Sequence, residues 1–212
     1  MRILVFGASM ERGYRDLEGG WVRMLQKELD RLTWNRDIDR SVYNLGVSGD
    51  TSEDIRKRVG SEIKARDNGE ELVAILRVTG LNDSLMDREI GEGQVSLEEY
   101  RKNLESILEI ASGSCNSVHL VGQTPIDQRE VDPVPWKETH SYRTERYIRY
   151  RDVLNEVMES REIGVSNLRA RIDEETWRRN YLEDGIHPNR EGHRKIYDLL
   201  KKDLKSRGTI PD

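Results

Sequence analysis

The chain has 212 residues, 35% of them charged, with 35 basic against 40 acidic side chains and a net charge of −5. That length suits a single core, so residues 1–212 are expected to form one domain. The mixed charge, with no basic block, argues against nucleic acid as a partner, and no stretch is long enough to span a bilayer. Apolar residues are gathered into short runs despite a mean hydropathy of −0.80, which argues for a folded globule. The one cysteine, Cys115, excludes an intrachain disulfide and fits a reducing compartment. With an N-terminal apolar run too short for a signal peptide, the expected location is cytoplasmic.

The run Ile3–Phe6 suits a strand buried on both faces, and it exits through Gly7-Ala8-Ser9. A polar loop from Glu11 to Gly20 leads to a helix with Trp21, Val22, Leu25, Leu29 and Leu32 on one side. Residues 39–45 read as a second strand, followed by Gly46-Val-Ser-Gly49-Asp-Thr51. A helix then runs from Thr51 to Arg66, with Ile55, Val59 and Ile63 at spacing four. Thr51 and Asp54 make a capping-box signature at its start. Leu72–Val78 is the third strand and opens into Gly80-Leu-Asn82-Asp83. A polar loop and a helix from Ser96 follow, the helix carrying Leu97, Tyr100, Leu104, Ile107, Leu108 and Ala111 along its buried stripe.

Ser117–Gly122 is the fourth strand. Gln123 to His140 is the longest irregular stretch, and loops of that length are usually functional. Tyr142–Glu159 reads as a helix and Val165–Leu168 as a weak strand. After Asp184-Gly-Ile-His187-Pro188 comes a closing helix that starts near Asn189 and carries Ile196, Leu199, Leu200 and Leu204. Strand and helix alternate about five times. The expected fold is therefore α/β, a three-layer α/β/α sandwich around a parallel sheet of about five strands. In such sheets the reacting groups collect at the carboxyl ends of the strands.

Four of those strand exits carry reactive residue types. Ser9 sits at a glycine-containing exit where a hydroxyl can be exposed. Asp184 lies three residues before His187, so a carboxylate can orient an imidazole, which is two thirds of a nucleophilic triad. The backbone N–H of Gly49 and the amide of Asn82 are candidate donors for an oxyanion.

These blocks resemble, in order, those of the SGNH hydrolases, the GDSL esterase/lipase group. Val-Phe-Gly-Ala-Ser9 resembles the block bearing the nucleophile, and Asn-Leu-Gly-Val-Ser-Gly49-Asp-Thr the block bearing an oxyanion N–H. Gly80-Leu-Asn82-Asp83 resembles the block bearing a second donor, and Asp184-Gly-Ile-His187-Pro the block bearing acid and base. The resemblance implies a flavodoxin-like fold and a serine esterase with the triad Ser9–His187–Asp184. It implies an oxyanion hole from Ser9, Gly49 and Asn82, a small-molecule ester as substrate, and neither cofactor nor metal. The chain departs from the family at position 8, where alanine replaces the usual aspartate of Gly-Asp-Ser. Ala8 keeps open a catalytically silent binding module on the same scaffold.

A dinucleotide-binding reading of Gly7-Ala-Ser-Met-Glu-Arg-Gly13 fails because Met10 stands where the middle glycine belongs and no acidic residue ends the second strand. An α/β-hydrolase needs Gly-x-Ser-x-Gly, which is absent. Trp136 and His140 are candidates for substrate contact, since their loop follows the fourth strand. His119, His193, Trp21, Tyr100 and Cys115 read as structural. The loops Met10–Gly20, Ser84–Gln94 and Gln123–His140 are polar, which favours a small or hydrophilic ester. The acyl group, the alcohol and the oligomeric state are not legible.

Overall fold

A computed structural model of the chain describes residues 1–34 and 40–211. In chain order the elements are β1 (Arg2–Gly7), α1 (Ser9–Arg12), α2 (Gly20–Thr33), β2 (Ser41–Gly46), α3 (Ser52–Arg66), β3 (Leu72–Leu76), β4 (Met86–Asp87) and α4 (Leu97–Ser114). They continue with β5 (Ser117–Val121), α5 (Gln128–Val131), β6 (His140–Ser141), α6 (Thr144–Glu159), β7 (Gly164–Ser166), a 3-10 turn (Arg169–Arg171), α7 (Glu174–Asn180) and α8 (Arg190–Ser206). Asp39, the expected start of the second strand, lies outside the described residues.

Five strands form one parallel sheet in the order β2-β1-β3-β5-β7. The apolar runs are buried on both faces because alternate side chains serve different layers. Leu4, Phe6, Leu72, Ala74 and Leu76 pack with α3, α4 and α6. Ile3, Val5, Val73 and Ile75 pack with α2, α7 and α8. Each fully buried leucine or isoleucine of this kind contributes roughly 1.5–3 kcal/mol. A third cluster, with Met10, Leu85, Ile126, Tyr142 and Ile186, lies beneath the loops at the carboxyl edge.

The chain steps from β1 out to β2 and returns to β3 on the other side of β1. That reversal opens a crevice at the carboxyl ends of β1 and β3, the place where ligands bind in open parallel sheets. The α3 cap is as expected: Thr51 accepts from the Asp54 N–H while Asp54 accepts from that of Thr51 at 3.0 Å. Among the described residues no helix is long and apolar enough to cross a membrane.

Several boundaries differ from the sequence expectation. The third strand ends at Leu76 rather than Val78. The sixth helix begins at Thr144, because the Tyr142 N–H is given to the Val131 carbonyl at 2.9 Å. The stretch Gln123–His140 is ordered by α5 and by β6, whose antiparallel pairing with β4 ties it to the loop after β3. Helix α7 is also additional. It offers one buried apolar residue, Trp177, too few for a readable stripe, and it is started by Asp173 accepting from the Thr176 N–H at 2.9 Å.

Candidate active site

The exit from β1 tightens at once into the single turn α1. The Glu11 carboxylate folds back to accept the Ala8 N–H at 2.9 Å, and Gly13 closes the turn with φ +82°. The turn is wedged between two strand ends that tolerate no side chain. A Cβ on Gly7 would lie 2.1 Å from the Glu11 carboxylate, and one on Gly46 would lie 2.4 Å from the Arg12 nitrogen. These glycines hold Ser9 at the edge of the sheet.

His187 arrives from the opposite end of the sequence on the loop before α8, which Asn189 caps by accepting the Gly192 N–H at 3.0 Å. Its Nε2 lies 2.9 Å from Ser9 Oγ, and its Nδ1 lies 2.9 and 2.8 Å from the two carboxylate oxygens of Asp184. With Asp184 accepting at Nδ1, the Nε2 position is left to accept the serine proton. Asp184 also takes the His187 N–H at 2.9 Å, which locks the loop onto the carboxylate. Burial pushes the Asp184 carboxyl up, but the hydrogen bonds and charge of His187 outweigh it and hold the group below its ordinary value. Gly185, at φ +84°, lets Asp127 reach its carbonyl at 2.7 Å and tie the loop to the segment after β5.

On the other side of the cleft, Gly49 adopts φ +90° in the loop after β2. The Asn82 amide donates to the neighbouring Asp50 carbonyl at 2.8 Å, while its oxygen accepts from the Tyr142 hydroxyl at 3.1 Å. An amide nitrogen carries two N–H bonds, so a second remains for a ligand. Asp83, fully buried, accepts the Ser52 N–H at 3.0 Å and the Ser52 hydroxyl, and Asn103 donates to that hydroxyl at 3.0 Å. The loop carrying Gly49 is thus tied both to the loop carrying Asn82 and to α4. Desolvation lifts the Asp83 carboxyl to about 6, against the hydrogen bonds from Ser52.

Ser9, Gly49, Asn82 and His187 line one cleft of about 330 Å³. Trp136 lines it too, 54% exposed, with its ring centroid 6.2 Å from that of His187. His140 does not line this cleft. It sits in the β4–β6 ribbon, with Nδ1 2.8 Å from the Thr139 hydroxyl and Nε2 4.0 Å from Asp87.

Further residues at the cleft were not singled out from the sequence. Tyr14 packs edge-on against His187 at 4.6 Å, Arg15 Nε donates to Asp184 at 3.2 Å, and Arg12 donates to Ser48 at 3.1 Å. Arg12 closes α1 and the other two lie in the polar loop behind it, whose place after β1 was the one available signal. Two other buried histidines, His119 and His193, do not line the cleft. His119 Nε2 lies 2.8 Å from the Ser166 hydroxyl, which also donates to Asp203, joining β5, β7 and α8. Burial pushes both His119 and His193 down to about 4. Among the described residues no cluster of three or more His, Cys, Asp or Glu could hold a metal ion.

Known proteins resemble this chain over nearly its whole length. A GDSL esterase/lipase of Arabidopsis thaliana is 27% identical over 216 residues, spanning 98% of this chain and 87% of that protein. The fold matches the lipase/acylhydrolase of Enterococcus faecalis with a TM-score of 0.73 at 24% identity, covering 97% of this chain and 96% of that one. It matches the acetylxylan esterase Axe2 of Geobacillus stearothermophilus with a TM-score of 0.72 at 19% identity, covering 96% and 94%. The profile of the GDSL-like Lipase/Acylhydrolase family extends over residues 5–195, from β1 through the His187 loop into α8. With the strand order and the serine–histidine crevice, that match identifies the chain as a member of this family of serine ester hydrolases.

Proposed function

We propose that the chain hydrolyses carboxylic esters of small or polar compounds through Ser9, His187 and Asp184. The observation that carries this reading is the unbroken hydrogen-bond chain from Ser9 Oγ through the imidazole to Asp184, opening onto one cleft. His187 takes the proton as Ser9 attacks the ester carbonyl. The developing oxyanion is met by the backbone N–H groups of Ser9 and Gly49 and by the free N–H of Asn82. Each such donor contributes roughly 2.7–4 kcal/mol to barrier lowering. His187 then protonates the leaving alcohol, and water repeats the sequence on the acyl-enzyme while Asp184 orients and stabilises the imidazolium.

The cleft volume, about 330 Å³, supports a small substrate, since it lies at the low end of ligand pockets, which run from roughly 300 to 1,000 Å³. The acetylxylan esterase among the structural relatives gives the same direction. Trp136 and Tyr14, flanking His187, are positioned to contact the leaving alcohol.

The test is hydrolysis of 4-nitrophenyl acetate together with labelling by a fluorophosphonate probe. Wild type is expected to turn over the ester and to be labelled at Ser9, and Ser9→Ala to do neither while melting at the same temperature. Full activity in Ser9→Ala would overturn the assignment. Folded wild type that neither labels nor hydrolyses any ester would favour the silent module that Ala8 left open.

A further inference from the structure

Arg12 is exposed at the cleft wall, one turn after the nucleophile, and its Nη1 donates to the Ser48 hydroxyl at 3.1 Å. Among the described residues no carboxylate lies within ion-pair distance of it. The residues lining the cleft include no carboxylate, and four acidic groups of the flanking loops are bonded elsewhere. Glu11 is paired with Arg77 at 3.0 Å, Asp50 with Arg58 at 2.8 Å, and Asp184 with His187 at 2.8 Å and Arg15 at 3.2 Å. Asp16 accepts the N–H groups of Glu18 and Gly20, both at 3.0 Å. The cleft therefore presents a guanidinium with unused donors to whatever enters it.

That cation stands out against a chain of net charge −5. At physiological ionic strength charges act over about 8 Å, so an anionic ligand in the cleft responds to Arg12 in its wall far more than to distant surface acids. Arg15 has already spent its Nε on Asp184. Arg12 has not, and a guanidinium beside a hydroxyl is suited to a carboxylate, which can accept two parallel N–H bonds.

Building on the esterase reading, we propose that the cleft selects esters carrying a carboxylate within reach of Arg12. The charged group anchors the substrate beside the Gly49 loop, and Ser9 attacks the ester carbonyl of the same molecule. Trp136 and Tyr14 supply the apolar wall next to His187. Specificity then comes from Arg12, the one arginine or lysine among the residues that line the cleft.

The experiment compares kcat/KM for two matched pairs with that for 4-nitrophenyl acetate. In one pair, 4-nitrophenyl hydrogen glutarate and its methyl ester, the carboxylate is on the acyl side. In the other, 3-acetoxybenzoate and methyl 3-acetoxybenzoate, it is on the alcohol side. Wild type is expected to prefer the charged member of at least one pair by about two- to fivefold, the range of a solvent-exposed ion pair. The pair that responds tells which side of the ester Arg12 reads. The preference should shrink as salt is raised, fall to about one in Arg12→Gln, survive in part in Arg12→Lys, and reverse in Arg12→Glu. Hydrolysis of 4-nitrophenyl acetate with no preference in either pair, or the same preference in Arg12→Glu, would overturn this proposal and leave the esterase reading standing. Absence of hydrolysis of every ester would remove the esterase reading and this proposal with it.

Discussion

Arg77 Nη1 donates to Glu11 Oε1 at 3.0 Å directly beneath the nucleophile, and the two side chains are only 1% and 2% exposed. Glu11 also accepts from the Ala8 N–H at 2.9 Å and from Trp21 Nε1 at 3.3 Å, while Arg77 reaches the Thr124 hydroxyl at 3.0 Å. The family's usual aspartate is absent at position 8, yet a carboxylate still holds the backbone of that residue. It comes from one turn further along the chain.

Breaking a buried ion pair from one side strands the other charge, which typically costs about 3–5 kcal/mol. Glu11→Ala and Arg77→Met should each lower stability by that much in urea denaturation. The double variant should cost less than the sum of the two by at least about 2 kcal/mol, because neither charge is then left unpaired. Additive losses would show that the two side chains act independently.

Tyr142 should act on rate rather than on binding. Its hydroxyl donates to the Asn82 oxygen at 3.1 Å and so sets which way the amide N–H groups face. Tyr142→Phe is expected to lower kcat about tenfold for 4-nitrophenyl acetate with KM nearly unchanged. Asn82→Ala should lower kcat about 10²–10³-fold. If Tyr142→Phe changes KM alone, the hydroxyl contacts substrate and does not orient the amide.

The buried Asp83 should leave a signature in the pH dependence of stability. Desolvation raises its carboxyl from 3.8 to about 6, and Ser52 opposes this with two hydrogen bonds, while Asp54 and Tyr100 also face it. A carboxyl raised on folding contributes stability that is complete below the unfolded value and lost as pH rises through about 6. By linkage the loss is of order 3 kcal/mol. The stability of wild type minus that of Asp83→Asn should therefore fall by about this amount between pH 4 and pH 8. A difference that stays flat with pH would show that Asp83 does not titrate with a raised pKa.

Arg15 adopts φ +68°, a left-handed conformation that L side chains avoid, while its Nε holds Asp184. Arg15→Gly and Arg15→Ala both remove the ion pair, but only glycine relieves the backbone. Arg15→Gly should be more stable than Arg15→Ala by about 0.5–1 kcal/mol in thermal denaturation. Equal stability would indicate that the loop relaxes when the ion pair is lost.

The parallel α/β architecture was legible because its cause is local. Runs such as Ile3–Phe6 and Leu72–Leu76 are apolar on both faces only where helices cover both, and amphipathic stripes such as that of α4 mark the covering helices. The residues at the strand exits were legible for a related reason. A parallel sheet brings all its carboxyl ends to one edge, so Ser9 and Asn82 meet there whatever lies between them in sequence, and the loop between α7 and α8 carries His187 to the same edge. Small elements such as α5, α7 and the β4–β6 ribbon were not legible, since each is too short to carry a periodic stripe.

What the tertiary structure alone decided is which polar side chains meet. Arg15 reaches Asp184 across 169 positions, Arg77 reaches Glu11 across 66, and Tyr142 reaches Asn82 across 60. In the sequence Arg15, Arg77, Glu11 and Tyr142 are ordinary members of charged loops and strand ends. Their partners are set by the packing of distant segments, and a charge or hydroxyl in an aperiodic loop carries no local mark of the group it will bond.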